Sequence, residues 1–260
     1  MIWSSKSRQN YTAAIVIIGN EILSGRTQDS NINFLTKELS DLGIPVMEAV
    51  IIPDDQELII FHVNRLRKKY TYIFTTGGIG PTHDDITTNS IAKAFGVSLY
   101  RDESAVSMIK KHYKEAPGIP IAESAFKMAD LPKGARIILN EVSGAPGFKI
   151  ENVFVMAGVP SVMQSMFNYA KVYLKIMDQF ISRSLQAKVG ESVISDFLGQ
   201  LQAKYKDLTL GSYPFMQKDR WHTHLVVRGQ KISRVNSAFK DLAKELSENG
   251  IEYSEIKNKE

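Results

Sequence analysis

The apolar positions of this chain follow two alternating periods. Residues 13–18, AAIVII, are continuously apolar and rich in β-branched side chains, the pattern of a strand buried on both faces of a parallel sheet. Gly19 ends that run. From Asp29 the spacing changes, with Ile32, Leu35, Leu39 and Leu42 recurring at steps of three and four. That is one face of a helix, which Asp29 or Ser30 can cap and Gly43 can stop. A strand over 44–52, a helix from Asp54 or Asp55 through Lys69 with Ile59, Val63 and Leu66 inward, and a strand over 72–74 repeat the unit. A helix over 86–96, with Asp84 or Asp85 at its start and Gly96 at its end, gives a third. Residues 103–131 read as mostly helical, interrupted by APGIP (116–120). Strands over 136–140 and 153–158 follow, separated by the turn-rich EVSGAPGF. A long helix capped by Ser161 comes next, with Met163, Met166, Ala170, Tyr173 and Met177 on one stripe. The stripe is read as core or subunit interface rather than as a ligand site.

This alternation implies an α/β fold over residues 11–178, a three-layer αβα domain with a mostly parallel sheet, preceded by a tail at 1–10. Residues 179–260 follow a different order. A strand near QAKVG (186–190), a helix over 191–204, strands at 208–213 and 223–229, a helix over 233–249 and a strand over 251–256 predict a small, separate α+β domain.

Composition narrows the function classes. At 43% hydrophobic and 23% charged residues, the chain has the makeup of a folded globular protein. The net charge of +4, from 32 basic and 28 acidic residues, is too small to imply a nucleic-acid partner. The sequence has no cysteine, which excludes disulfides, thiolate metal sites and cysteine nucleophiles. No apolar run approaches the ~20 residues of a membrane span. The N-terminal stretch with Lys6 and Arg8 is not followed by a signal-type apolar region, because Asn20 and Glu21 interrupt it. The expectation is a soluble, cytoplasmic protein with no membrane partner.

The chemistry concentrates at predicted strand ends. TTGGIGPTHDD (75–85) places Thr76, Gly77, Gly78, Gly80, Pro81 and Thr82 before the adjacent carboxylates Asp84 and Asp85. In open α/β sheets, ligands bind beyond the carboxyl ends of the strands, and glycines let a phosphate approach the backbone. The spacing matches neither G-x-G-x-x-G nor a P-loop. Two aspartates beside an anion site repel the anion unless a cation lies between them, so the loop implies Mg²⁺ or another divalent metal such as Co²⁺ or Mn²⁺, held by Asp84 and Asp85. The alternative is that one aspartate caps the following helix and the other is solvated. GNEILSGRTQDSN (19–31) brings Gly19, Asn20, Glu21, Gly25, Asp29 and Asn31 to the same edge, with Asp29 alternatively a plain helix cap. SGAPGF adds Gly144, Ala145, Pro146 and Gly147, and AGVP adds Gly158 and Pro160. These residues are the candidate ligand-binding set, with Asp84 and Asp85 the candidate catalytic pair.

Four loop motifs, GNEILSGRTQDSN, TTGGIGPTHDDIT, SGAPGF and AGVP, together with LGSYP (210–214), resemble the molybdopterin-binding-like domain of the MoaB/Mog superfamily. The pattern is nearest to the N-terminal part of CinA-type competence/damage-inducible proteins and to the corresponding domain of eukaryotic FAD synthase, and it covers nearly all of the chain. The resemblance implies a nucleotide or pterin ligand and a homo-oligomer, dimeric or trimeric. Mog-type relatives adenylylate molybdopterin, whereas CinA-type and FAD-synthase-type domains are associated with metal-dependent hydrolysis of ADP-ribose or FAD. Asp85 matches the superfamily aspartate, Asp84 is the extra acid of the CinA-like branch, and Ile79 also favours that branch. Three positions depart from the pattern: Asn20 replaces an aspartate, Ala157 a proline and Val162 an acid. Loss of the carboxylate at Asn20 weakens a metal site there, although an amide oxygen still ligates Mg²⁺. The chain ends before any CinA-like deamidase domain and lacks the adenylyl-transfer domain of FAD synthase, so those two activities are expected to be absent.

The functional expectation is a metal-dependent pyrophosphatase releasing AMP. Molybdopterin binding or adenylylation, or ligand binding without turnover, are the alternatives. His83 in the loop is a candidate proton donor or an idle exposed side chain. His222 and His224 alternate on one strand face, read as a partly exposed face rather than a metal pair. RLRKK (65–69) is read as a solvated helix end rather than a nucleic-acid patch. Trp3 and Trp221 carry no functional signal.

Overall fold

A computed structural model describes residues 11–115, 120–176 and 180–256. The tail at 1–10, most of the expected APGIP interruption and Met177 lie outside the described residues. The chain divides into two compact units, Met1–Met177 and Asp178–Glu260.

In the first unit, β1 (Ala13–Ile18), α1 (Asn20–Leu23), α2 (Asn31–Asp41), β2 (Val46–Ile52), α3 (Gln56–Lys69), β3 (Tyr72–Thr76) and α4 (Thr87–Phe95) follow in order. After them come β4 (Leu99–Arg101), α5 (Glu103–Glu115), a 3₁₀ turn (Glu123–Ala129), β5 (Asp130–Pro132), β6 (Arg136–Ile138), β7 (Gly147–Ile150), β8 (Val153–Met156) and α6 (Pro160–Ala170). The main sheet has the order β2-β1-β3-β8-β7-β6. Its first four strands are parallel, and β7 and β6 complete it in antiparallel pairing.

The continuous apolar run of β1 has a simple cause. Ala14, Val16 and Ile18 face Ile59, Val63 and Leu66 of α3 on one side. Ala13, Ile15 and Ile17 face Leu35 and Leu39 of α2 with Met163 and Phe167 of α6 on the other. Successive side chains of a strand point to opposite faces, so a sheet covered on both sides requires apolar residues at every position. The methionine stripe is core accordingly, with Met163 and Met166 buried.

The structure corrects several boundaries. The stretch read as mostly helical contains β5, which pairs antiparallel with β4; strands of three residues leave no periodicity to read. Gly147 and Phe148, placed in a turn, belong to β7. Ser161 does not cap α6, which opens on Pro160 after Val159, because a proline at the first helical position forfeits no hydrogen bond. Neither Asp84 nor Asp85 caps α4, whose cap residue is Ile86 with no side-chain cap bond.

The second unit is built from β9 (Ile181–Ala187), α7 (Glu191–Lys204), β10 (Thr209–Gln217), β11 (Arg220–Gly229), α8 (Ile232–Glu248) and β12 (Tyr253–Ile256). Its antiparallel sheet has the order β10-β11-β9-β12. Ile194, Leu201, Val235, Phe239 and Leu242 of the two helices pack against Leu185, Ala187, Leu225 and Val227. The two residues joining β10 to β11, Lys218 and Asp219, take φ values of 48° and 57°, as a tight hairpin turn demands. His222 and His224 lie beside Phe215, with ring centroids 5.4 and 4.3 Å away.

RLRKK proves to be a fastening rather than a free cationic patch. Arg65 pairs with Glu48 of β2 at 2.6 Å. Arg67 pairs with Glu151 at 3.2 Å and stacks over Phe95 at 4.0 Å. Lys69 reaches Glu48 at 3.3 Å, and the Tyr70 hydroxyl donates to the same carboxylate at 2.9 Å. The Arg65 guanidinium, followed by the Tyr70 hydroxyl, lowers the Glu48 pKa from 4.5 to about 2. A depressed carboxylate stabilises the fold above its unfolded pKa and loses that contribution as pH falls through its folded value. Urea midpoints measured between pH 4.5 and 2 are therefore expected to fall less steeply for Glu48→Gln than for the wild type.

Candidate functional site

Four chain segments leave the parallel strands at one edge of the first unit, and the tightest approach is at Gly77. Its φ is 105°, and a Cβ there would sit 2.0 Å from the Ile18 carbonyl oxygen. Gly78 follows at φ 67°, where a Cβ would meet Thr87 Oγ1 at 2.3 Å. The Gly77 N–H donates to Met156 O at 3.1 Å and the Thr87 N–H to Gly78 O at 2.9 Å, so the turn is bonded to β8 and to α4. Asn31, only 3% exposed, donates through Nδ2 to Gly158 O at 2.8 Å and Thr76 Oγ1 at 3.4 Å. It ties α2 to the ends of β3 and β8. Asn31 and Thr76 thus hold the loops from beneath.

The acidic residues form a connected group. The Thr82 N–H donates to Asp85 Oδ2 at 2.9 Å. Thr82 Oγ1 lies 2.5 Å from both Asp84 Oδ1 and Asp85 Oδ2. The Lys127 ammonium donates to the Thr82 carbonyl and, at 2.9 Å, to the Asp85 carbonyl. The Thr82 hydroxyl, with smaller help from the His83 and Lys127 charges, lowers the Asp84 pKa. His83 Nδ1 stands 4.0 Å from Asp84 Oδ1 and is exposed.

Asp54 joins this group although its sequence context pointed to a helix cap. Asp55 is the cap of α3, accepting from the Leu58 N–H at 2.9 Å, and Asp54 Oδ2 instead accepts from the Asn20 N–H at 3.0 Å. Burial raises the Asp54 pKa against the lowering effect of that bond, and Glu21, Asp84 and Asp85 raise it further. The carboxylates of three loops therefore act on one another. The signal was present in PDD at 53–55, where one of two adjacent aspartates suffices for the cap. Lys127 and Met128 were missed for a different reason, since they sit on a 3₁₀ turn inside a stretch read as helix.

A cleft of about 490 Å³ opens beside the glycine turn. Of the sequence-derived candidates, Glu21, Gly77, Gly78, Gly80, Asp85, Ala145, Gly158 and Pro160 line it. Ile79, Met128, Ala157, Val162 and Met166 supply an apolar wall. Two of the departures from the family pattern, Ala157 and Val162, thus contribute apolar surface where a proline and an acid are expected. Buried Asn140 shapes the adjoining loop through Nδ2, which donates to Ser143 Oγ at 2.5 Å and Ala145 O at 2.9 Å.

The remaining candidates are outside the cleft lining. Asp29 precedes Ser30, the cap residue of α2, and accepts from the Ile32 N–H at 2.9 Å. Gly19 is buried before α1, Asn20 offers its backbone to Asp54, and Gly25 is exposed in the turn after α1. Pro81, Thr82 and Asp84 are exposed on the loop. Gly144 lines a separate cleft with His112 and Tyr169, and Gly147 packs in β7 against Val155 and Met166. Pro146 is buried between them.

The donor set suits a divalent cation that arrives with further ligands. Among the described residues, no three histidine, aspartate or glutamate side chains gather closely enough to enclose a metal unaided. Mg²⁺ needs only one or two carboxylates when phosphate and water complete its shell. One hydroxyl proton on Thr82 can serve only one of its two carboxylate neighbours, so the other oxygen pair repels unless a cation intervenes. Asn31 Oδ1 and Thr87 Oγ1, bordering the turn, are buried without a partner among the described residues, as polar atoms awaiting a ligand or water are.

Comparison with known proteins places the chain by family. Residues 14–175 match the family described as probable molybdopterin binding domain, and the chain belongs to it. Residues 179–255 match the FAD synthase middle domain. A protein of Archaeoglobus fulgidus is 34% identical over 205 residues, covering 77% of this chain and 84% of that one. The structure of CinA from Thermoplasma acidophilum, described as of unknown function, is 32% identical with a TM-score of 0.56, covering 62% of this chain and 97% of the other. MoaB from Thermus thermophilus is similar at 12% identity and a TM-score of 0.42, over 63% of this chain and 91% of its own. No described helix is long and apolar enough to cross a membrane.

The tight pass at Gly77 sets the site's geometry. Gly77→Ala is expected to lower the unfolding free energy by about 2 kcal/mol or more, from a strained φ and a backbone clash together, as measured by urea titration.

Proposed function

We propose that the protein is a divalent-metal-dependent nucleotide pyrophosphatase that cleaves an ADP-ribose- or FAD-type dinucleotide and releases AMP. The observation that carries this reading is the Thr82 hydroxyl set between Asp84 and Asp85 directly after a glycine turn that lines a cleft. Phosphate-accepting backbone and clustered carboxylates are compatible when the ligand brings its own cation. The family description and the FAD synthase middle-domain match support a nucleotide or pterin ligand.

In this reading the pyrophosphate lies along the Gly77–Gly80 backbone, and the apolar wall of Ile79, Met128, Val162 and Met166 takes the flat ring system. Asp84 and Asp85 would hold Mg²⁺, Mn²⁺ or Co²⁺, which when bound offsets phosphate charge and acidifies water. A water oxygen forms a bond to the adenosyl phosphorus as the bridging P–O bond breaks, and the displaced phosphate keeps the bridging oxygen. Asp54 is suited to take the water proton, because its raised pKa makes it a stronger base than an ordinary aspartate. Lys127 fixes the loop through the Thr82 and Asp85 carbonyls.

AMP release from ADP-ribose and from FAD, assayed with each metal, tests this directly. Asp85→Ala is expected to lose about 100-fold or more of the rate; undiminished turnover in that variant would overturn the assignment. Pterin binding without hydrolysis would point to molybdenum-cofactor handling, and nucleotide binding without turnover to a non-catalytic role. A proton acceptor must be ionised to work, and a raised pKa moves that requirement upward in pH. The acid limb of the rate profile is therefore expected above the ordinary aspartate value of 3.8 and is expected to disappear in Asp54→Asn.

A further inference from the structure

We infer a second anion-binding site, within the C-terminal unit, that takes the phosphate or pyrophosphate group of a small molecule. Three segments of that unit converge there: the β9–α7 connection at Lys188 and Val189, the hairpin around Lys218, and the α8–β12 connection at 249–252. They line a cleft of about 850 Å³, large enough for a nucleotide.

The charge balance of the lining is one-sided. Lys188, Lys218 and Arg220 face a single carboxylate, Glu252, which is already engaged by Lys188. Among the described residues, the side chains of Lys218 and Arg220 have no hydrogen-bond or ion-pair partner. Two cations without counter-ions in one cleft make a ready receptor for an oxyanion, since charge-assisted bonds to phosphate are the strong ones.

His222 adds a buried imidazole. It is 8% exposed, lines the same cleft, and its Nδ1 lies 3.3 Å from Gln186 Nε2. The Gln186 amide nitrogen can only donate, and it also lies 3.2 Å from Gln217 Oε1. In the tautomer in which Nδ1 accepts from that amide, Nε2 carries the ring proton. A buried imidazole beside two unpartnered cations distinguishes this cleft from a solvated basic surface. All of these residues belong to the second unit, so the inference stands independently of the pyrophosphatase reading.

Trp221, between Arg220 and His222 in β11 and 56% exposed, offers a local reporter. The full chain carrying Trp3→Phe retains it as the sole tryptophan of the two. Inorganic pyrophosphate and AMP are titrated separately at constant ionic strength, following Trp221 fluorescence and, in parallel, calorimetric heat. A saturable response is expected, and the titrant that saturates at lower concentration tells whether free phosphate or a nucleotide is the better source. Lys218→Ala combined with Arg220→Ala is expected to weaken it about tenfold or more with an unchanged melting midpoint, as befits substitutions at an exposed hairpin. Asp85→Ala is expected to leave the fluorescence titration intact. The inference is overturned by the absence of a saturable response in both readouts at millimolar titrant, by an equal response to chloride, or by affinity unaffected by the double substitution.

Discussion

At Gly77 the backbone leaves β3 so close to the Ile18 carbonyl that no side chain fits, and the rest of the candidate site is arranged around that pass. The turn can run there because β1 and β3 are paired in parallel register and end together. It continues into Gly78, which lies against Thr87 at the first turn of α4. The loop that carries Thr82, Asp84 and Asp85 is thereby fixed at both ends by regular elements. A rigid sheet edge positions a loop that would otherwise be free to move its carboxylates apart, and it does so beside the ends of β1, β2 and β8.

That placement creates an electrostatic problem, which the protein offsets only in part. Lys127 is bonded to two carbonyls of the loop, and its charge helps to lower the Asp84 pKa. Asp54, more buried than Asp84 and Glu21, is raised instead, by that burial first and by Glu21, Asp84 and Asp85 as well. Carboxylates pushed in opposite directions within one group are the arrangement expected where one acid binds a cation and another exchanges a proton. The same feature weighs against a purely structural role, because a loop whose only task was to cap α4 would use an aspartate on the helix N–H groups, and neither does.

Much of the fold was legible because burial on both faces leaves a strong sequence trace. The β1 run and the Leu35–Leu39 spacing of α2 follow from the packing they enter. The short pieces left no such trace: α1, β4, β5 and β7 are three or four residues long, too short to show a period, and β4 finds its partner β5 some way along the chain. For the site, glycines followed by paired acids were readable because their chemistry conflicts unless a third component is present. Asp54 was obscured by Asp55, since two adjacent aspartates before a helix look like redundant caps until the backbone shows that only one is used. Gly147 carried the opposite ambiguity: its turn-like context conceals a strand position in which Val155 and Met166 leave no space for a side chain.

The central claim is that the glycine turn and the carboxylates share one ligand through a divalent cation. Linkage makes this measurable without turnover, because two ligands that assist one another must do so reciprocally. Calorimetric titration of a methylene-bridged, non-hydrolysable ADP-ribose analogue, in the presence of Mg²⁺ and again in excess chelator, is the most direct test. Binding that strengthens with Mg²⁺, and Mg²⁺ binding that strengthens by the same factor with the analogue, is the expected result. Analogue affinity indifferent to Mg²⁺ would contradict the account.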